Sequence, residues 1–141
     1  MLPLRLVLDT NIIVSAALKP DGLQRTVLLL AMTRPARLYV TAPILSEYRI
    51  VLSRREFKIR KGLRQQFLRR IEDSSHMVFP SRRVQVTSDP DDNVFLECAD
   101  AARADYVVTG NLRHFPRFWK QIKIVTSREF VTLIAPHLAP L

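Results

Sequence analysis

Glycine and cysteine are scarce in this 141-residue chain, with three of the first and one of the second. Gly22, Gly62 and Gly110 are too scattered for a phosphate-cradling loop or a dinucleotide fingerprint, both of which need clustered glycines. Cys98 alone excludes an internal disulfide and a thiol redox pair. With three dispersed histidines, His76, His114 and His137, it offers no zinc-ligand spacing either. No serine or cysteine stands in a recognisable nucleophile elbow. Long apolar runs are also missing: none approaches the roughly 20 residues of a membrane span, and Asp9 and Asn11 interrupt an N-terminal segment that would otherwise look like a signal peptide. These absences point to a soluble cytoplasmic protein.

Acidic residues are the minority charge, 13 against 22 lysines and arginines, for a net charge of +9. Such an excess attracts polyanions, nucleic acid first and an anionic membrane or acidic partner second. Its placement is uneven, because eight basic residues between Ser53 and Ile71 face a single acid, Glu56. A solvated helix face accounts for a charge run of this kind, and a binding surface accounts for it as well.

Nearly half the residues are apolar and a quarter are charged, which suits one globular domain over residues 1–141. The chain alternates strands and helices. Leu4–Leu8 reads as a buried strand, and residues 11–18 and 23–32 read as helices around a turn at Pro20-Asp21-Gly22. A short strand at Leu38–Val40 precedes a helix capped by Thr41 or Ala42, with Ile44, Leu45, Tyr48, Val51 and Leu52 on its apolar stripe. The basic segment carries Leu63, Phe67, Leu68 and Ile71 at helical spacing. Val78-Phe79 and Val84–Val86 look weakly extended, and SDPDDN at 88–93 opens a helix striped by Val94, Phe95, Cys98, Ala101 and Ala102. Strands follow at Tyr106–Val108 and Ile122–Val125, and Thr126 with Glu129 matches a capping box for a last helix through about Ile134. The tail APHLAPL has no interpretable pattern. Strands separated by helices imply a mainly parallel sheet covered on both faces.

Chemistry in such folds collects at the carboxyl ends of the strands. Asp9 follows the first strand directly, Glu47 borders the apolar stripe of the helix after the second, Asp92 opens a helix leading into the Tyr106 strand, and Asn111 follows that strand. Four distant segments therefore bring Asp9, Glu47, Asp92 and Asn111 to one rim. Capping is the simpler explanation of Asp9 or Asn11 and of Asp92 taken singly, a role worth about 1 kcal/mol. Taken together, three neighbouring carboxylates repel and raise one another's pKa, and a hard divalent cation such as Mg²⁺ removes that repulsion. Asp105 lies at the other end of its strand and Glu97 is more than a turn from Asp92, so both fall outside this group.

The stretches LVLDTNIIVSAAL, PILSEY, DPDDNVFLECA and ADYVVTGN, in this order, resemble the PIN domain, especially the VapC-like toxin ribonucleases of prokaryotic toxin–antitoxin systems. The resemblance implies a three-layer α/β/α sandwich with a central mainly parallel sheet and metal-dependent cleavage of RNA with Mg²⁺ or Mn²⁺. It also implies a homodimer and a cognate antitoxin protein. Exposed apolar residues on a small basic domain would suit a dimer or an antitoxin groove. Asp9, Glu47 and Asp92 match the three main acids, as catalytic residues and metal ligands. Thr10 or Asn11 matches the polar residue beside the first acid.

The chain departs from the pattern in TGNLRHF, where Asn111 replaces an acid and His114 stands at a second acidic position. An amide contributes no charge, so weaker metal binding is expected, with one firmly held ion. Asn11, Thr109, Arg113, His114 and Arg117 are the residues expected to contact substrate, and His114 reads equally as a surface imidazole. Arg113, Arg117, Lys120 and Lys123 make a basic shoulder suited to a phosphate backbone. The expected reaction is phosphodiester hydrolysis by a metal-bound hydroxide, with Glu47 as a ligand or as the group that orients or deprotonates the water. The rival expectation is a catalytically weakened PIN-like module that binds RNA or a protein without cutting.

Overall fold

A computed structural model describes residues 4–138, with side-chain surroundings through Ile134. The first three residues of the signal-like segment and the last three of the APHLAPL tail lie outside the described residues. In chain order the elements are β1 (Arg5–Leu8), α1 (Thr10–Leu18), α2 (Leu23–Ala31), β2 (Arg37–Val40), α3 (Ala42–Leu52), α4 (Lys61–Ser74) and β3 (Ser75–Met77). They continue with α5 (Pro90–Ala102), β4 (Tyr106–Val108), β5 (Phe118–Trp119), β6 (Ile122–Val125) and α6 (Ser127–Leu138).

The strands form one six-stranded sheet in the order β3-β2-β1-β4-β6-β5. Every neighbouring pair is parallel except β5 with β6. Leu6, Val7 and Leu8 point alternately to opposite faces of the sheet, and all three are fully buried. Helices therefore cover both faces, the three-layer α/β/α arrangement expected from the alternation of elements. Helix α5 lies against β1, β2 and β4, whereas α1 packs on α2 and α2 on α6. Tyr48, Phe95 and Phe130 are the largest wholly buried side chains, one from each of α3, α5 and α6.

The register aligns the strand ends. Leu8 pairs with Val108 and Val108 with Val125, so Asp9, Thr109 and Thr126 follow their strands at one level. Thr41 occupies the corresponding place after β2. Three of these four cap the next helix: Asp9 accepts from the Thr10 amide, Thr41 from Ile44, and Thr126 exchanges hydrogen bonds with Glu129 in the expected capping box. Thr109 instead turns its hydroxyl to Asp9.

Five expectations are corrected. The edge strand β3 is Ser75–Met77, with Val78 continuing its ladder through a bond from its amide to the Val40 carbonyl. Its polar Ser-His pair carries no apolar alternation to announce it. Val84–Val86 forms no strand, and the Val84 amide donates to Glu97 at 2.9 Å instead. Asp89, not Asp92, caps α5, which leaves Asp92 in the first turn. On α4, Leu68 and Ile71 are buried but Leu63 is exposed, because the first turns of that helix extend past the core. On α5, likewise, Asn93, Leu96 and Ala99 join the buried stripe and Ala101 faces solvent.

Candidate active site

Asp9 stands where β1 gives way to α1, with its amide bonded to the Val108 carbonyl of β4 at 2.9 Å. Only 6% of it is exposed. A buried carboxylate needs donors, and Asp9 has three. The Thr10 amide donates to Oδ1 at 2.7 Å, the Thr109 hydroxyl to Oδ2 at 2.7 Å, and the Asn11 amide group to Oδ2 at 3.2 Å. Asn11 in turn accepts from the Gly110 amide at 3.0 Å. The strand end of β4 is thus clipped to the start of α1. The Asn111 amide donates to the Thr109 hydroxyl at 3.0 Å, extending the chain of contacts to Asn111, whose side chain is exposed.

Glu47 projects from the second turn of α3 and accepts a short hydrogen bond from the Thr10 hydroxyl on Oε2. The two residues after Asp9 therefore link it to neighbouring segments: Thr10 reaches Glu47, and Asn11 reaches Gly110. Tyr48, next to Glu47, donates its buried hydroxyl to the Leu8 carbonyl, which ties α3 to the end of β1. Asp92 approaches from the first turn of α5 and pairs through Oδ2 with His114 Nδ1 at 3.3 Å. The His114 side chain is otherwise exposed.

The electrostatics fit a crowd of like charges. Burial pushes the Asp9 carboxyl above its ordinary range, Thr109 and Thr10 pull against that shift, and the charges of Asp92 and Glu47 add to it. Asp92 is likewise raised, by burial and by Asp89, with His114 acting in the opposite sense. The donors are all hard carboxylate oxygens, which suit Mg²⁺ or Mn²⁺. They are spread around the rim: among the described residues, no three His, Cys, Asp or Glu side chains form a ready-made metal cluster. A cavity of about 540 Å³ opens beside Asp92, lined by Asp89, Arg113, His114, Thr87 and Phe115 among others.

The anticipated basic shoulder is divided. Arg113 and His114 line the cavity at Asp92, whereas Arg117 is bound to Glu129 at 2.7 Å beside a separate cavity with Phe118 and Leu133. Lys123 lines that same cavity, whereas the β5–β6 turn carries Lys120 to Asp100 at 2.8 Å, at the opposite end of the sheet. Asp105 accepts from the Arg5 amide at 2.8 Å, at that far end as expected. Sequence reasoning missed Thr10 as the link to Glu47 and Asp89 as the cap beside Asp92; the Ser-Asp-Pro sequence before α5 was the available signal for the second.

The sheet is mainly parallel, and Asp9 stands at its carboxyl rim with the charges of Glu47 and Asp92 acting on it. The family model described as PIN domain matches residues 5–113, and the chain belongs to the PIN domain family, whose members are generally nucleases. Among solved structures, VapBC2 from Rickettsia felis bound to a DNA fragment from its promoter has a similar fold. Its TM-score is 0.60 at 18% identity, covering 87% of this chain and 98% of that one. No match is found among curated proteins. Among the described residues, no helix is long and apolar enough to cross a membrane.

Proposed function

We propose that this chain is a metal-dependent endoribonuclease, the toxin of a toxin–antitoxin pair, acting in the cytoplasm as a homodimer restrained by a small antitoxin protein. The observation that carries the nuclease reading is the buried, triply hydrogen-bonded Asp9 carboxylate flanked by Glu47 and Asp92. The family match and the fold shared with a VapBC2 complex support the toxin–antitoxin assignment.

Asp9, Glu47 and Asp92 would hold Mg²⁺ or Mn²⁺, which supplies Lewis acidity to a water and to the phosphate oxygens. Asp9 is locked by its donors, so it presents a lone pair without reorganising. Glu47 has Oε2 engaged by Thr10, and Oε1 has no hydrogen bond among the described residues. That free oxygen suits either ligation or acceptance of a proton from the attacking water. Asp92 is steadied by His114, which also faces the cavity where the scissile phosphate would lie. Arg113 borders the same space and suits a phosphate contact. Asn111, held by its backbone to Thr109, offers a neutral amide oxygen where family members often carry an acid.

Incubating a mixed RNA pool with purified protein and Mg²⁺ or Mn²⁺ tests the proposal, beside EDTA and an identically prepared Asp92→Asn control. Metal-dependent cutting absent from both controls is expected. Folded protein that binds RNA but never cuts it with either metal would replace this reading by a non-cutting RNA-binding or protein-interaction module, the alternative that the neutral, exposed Asn111 favours.

A further inference from the structure

The densest positive charge is not at the acids. Helices α3 and α4 enclose a cleft of about 440 Å³ lined by Arg49, Lys61, Arg64, Arg69 and the floor residue Leu68, with Glu72 as its one acid. Glu72 pairs with Arg49 at 3.4 Å, and both side chains are largely exposed, so the pair is weak and exchangeable. Lys61, Arg64 and Arg69 have no ion pair among the described residues. Eight residues separate Lys61 from Arg69 along α4, and at about 1.5 Å per residue the cations track some 12 Å of the cleft.

The position of this cleft relative to the acids follows from helix geometry. Arg49 is two residues beyond Glu47 on α3, about 200° around the axis, and Ser53, also in the cleft, lies one turn further on the Arg49 side. The cleft and the acids therefore occupy opposite faces of α3. One short oligonucleotide cannot fill both.

We infer that the α3–α4 cleft is a second RNA-binding site that grips the phosphate backbone of a long or folded RNA while another part of the same molecule lies at the acids. This rests on the ribonuclease reading above for the identity of the polyanion. The chemistry selects RNA over a lipid surface. The cations line a concave slot, which matches a strand and not a plane, and guanidinium forks match phosphate oxygens. An interfacial helix would need an apolar face turned outward, whereas Leu68 and Ile71 of α4 are buried in the core.

Binding measured in EDTA separates the cleft from the chemistry, because it requires no cutting. The wild type and an Arg64→Gln/Arg69→Gln variant are compared by fluorescence anisotropy on a folded hairpin RNA with a long flank and on a short single-stranded oligonucleotide, across a salt series. The variant is expected to bind the long RNA about tenfold more weakly, and its log–log salt slope is expected to fall by about 1.4, roughly 0.7 per lost phosphate contact. Affinity for the short oligonucleotide, and its cleavage if cleavage occurs, should change little. An Arg64→Lys/Arg69→Lys variant should restore most of the salt slope, which a merely structural defect would not allow.

Unchanged affinity and slope on the long RNA would overturn the assignment, and so would equal losses on both RNAs. Binding of the wild type to vesicles rich in anionic lipid, with no preference for long RNA, would overturn it in favour of a membrane surface. Loss of cleft-dependent binding in a protein that never cuts RNA would leave the cleft assignment standing and remove the nuclease.

Discussion

The hydroxyl of Thr109 donates to Asp9 Oδ2 at 2.7 Å, a bond between residues one hundred apart in sequence and both buried. Thr109→Val keeps the shape and removes the donor, leaving a buried carboxylate oxygen with only the longer Asn11 contact. The variant is expected to lose about 1–3 kcal/mol of stability in urea unfolding, and Thr109→Ser to lose much less. A loss in Thr109→Ser with none in Thr109→Val would assign the effect to packing of the methyl group.

Asp9 also sets a pH dependence. Its folded-state pKa lies above the ordinary value of 3.8, so between those two values the folded chain binds more protons than the unfolded one. Stability contributed by this group is therefore greatest at low pH and declines as pH rises from about 3.8 through the raised value. Asp9→Asn abolishes that dependence while retaining a good helix cap. In metal-free buffer at neutral pH it is expected to melt at a higher temperature than the wild type, while losing RNA cleavage. A lower melting temperature would mean that the hydrogen bonds to the charged form outweigh its desolvation.

His114 lowers the pKa of Asp92, opposing burial and Asp89. His114→Ala is therefore expected to raise the Asp92 pKa and to move the acid limb of Mn²⁺ binding to higher pH. Titration calorimetry at several pH values reads this shift. A loss of affinity confined to pH values at which an imidazole is neutral would make His114 a direct ligand instead.

Asn111→Asp adds the charge that the family pattern often carries at this place. Mn²⁺ affinity is expected to rise by about tenfold, the scale on which groups around a metal tune its binding. No change in affinity would place Asn111 outside the metal's surroundings and leave it as a backbone link to Thr109.

The rim was legible because strand ends announce themselves: an apolar run stops at a residue with a side-chain oxygen, as at Leu8 before Asp9 and Val108 before Thr109. Glu47 was legible for a different reason, an acid at the border of a helical stripe. Short edge strands carry no such signal. Ser75–Met77 pairs with a single neighbour and Phe118–Trp119 is two residues long, so neither shows a period. Overlooking β5 misplaced Lys120, because the turn it forms with β6 sends that residue to the far end of the sheet. Leu63 was misread since helical spacing records a stripe without saying where the core beneath it ends.

Because β4 lies beside β1, the residues that complete Asp9 are among the last third of the chain to leave the ribosome. A nascent chain that has emerged only through α4 has Asp9 and Glu47 but neither Asp92 nor the Thr109 hydroxyl, and β1 still lacks its neighbour on that side. The order of synthesis thus acts as a delay: the Asp9 carboxylate gains its donor from β4 only when Thr109, one hundred residues later, closes on it.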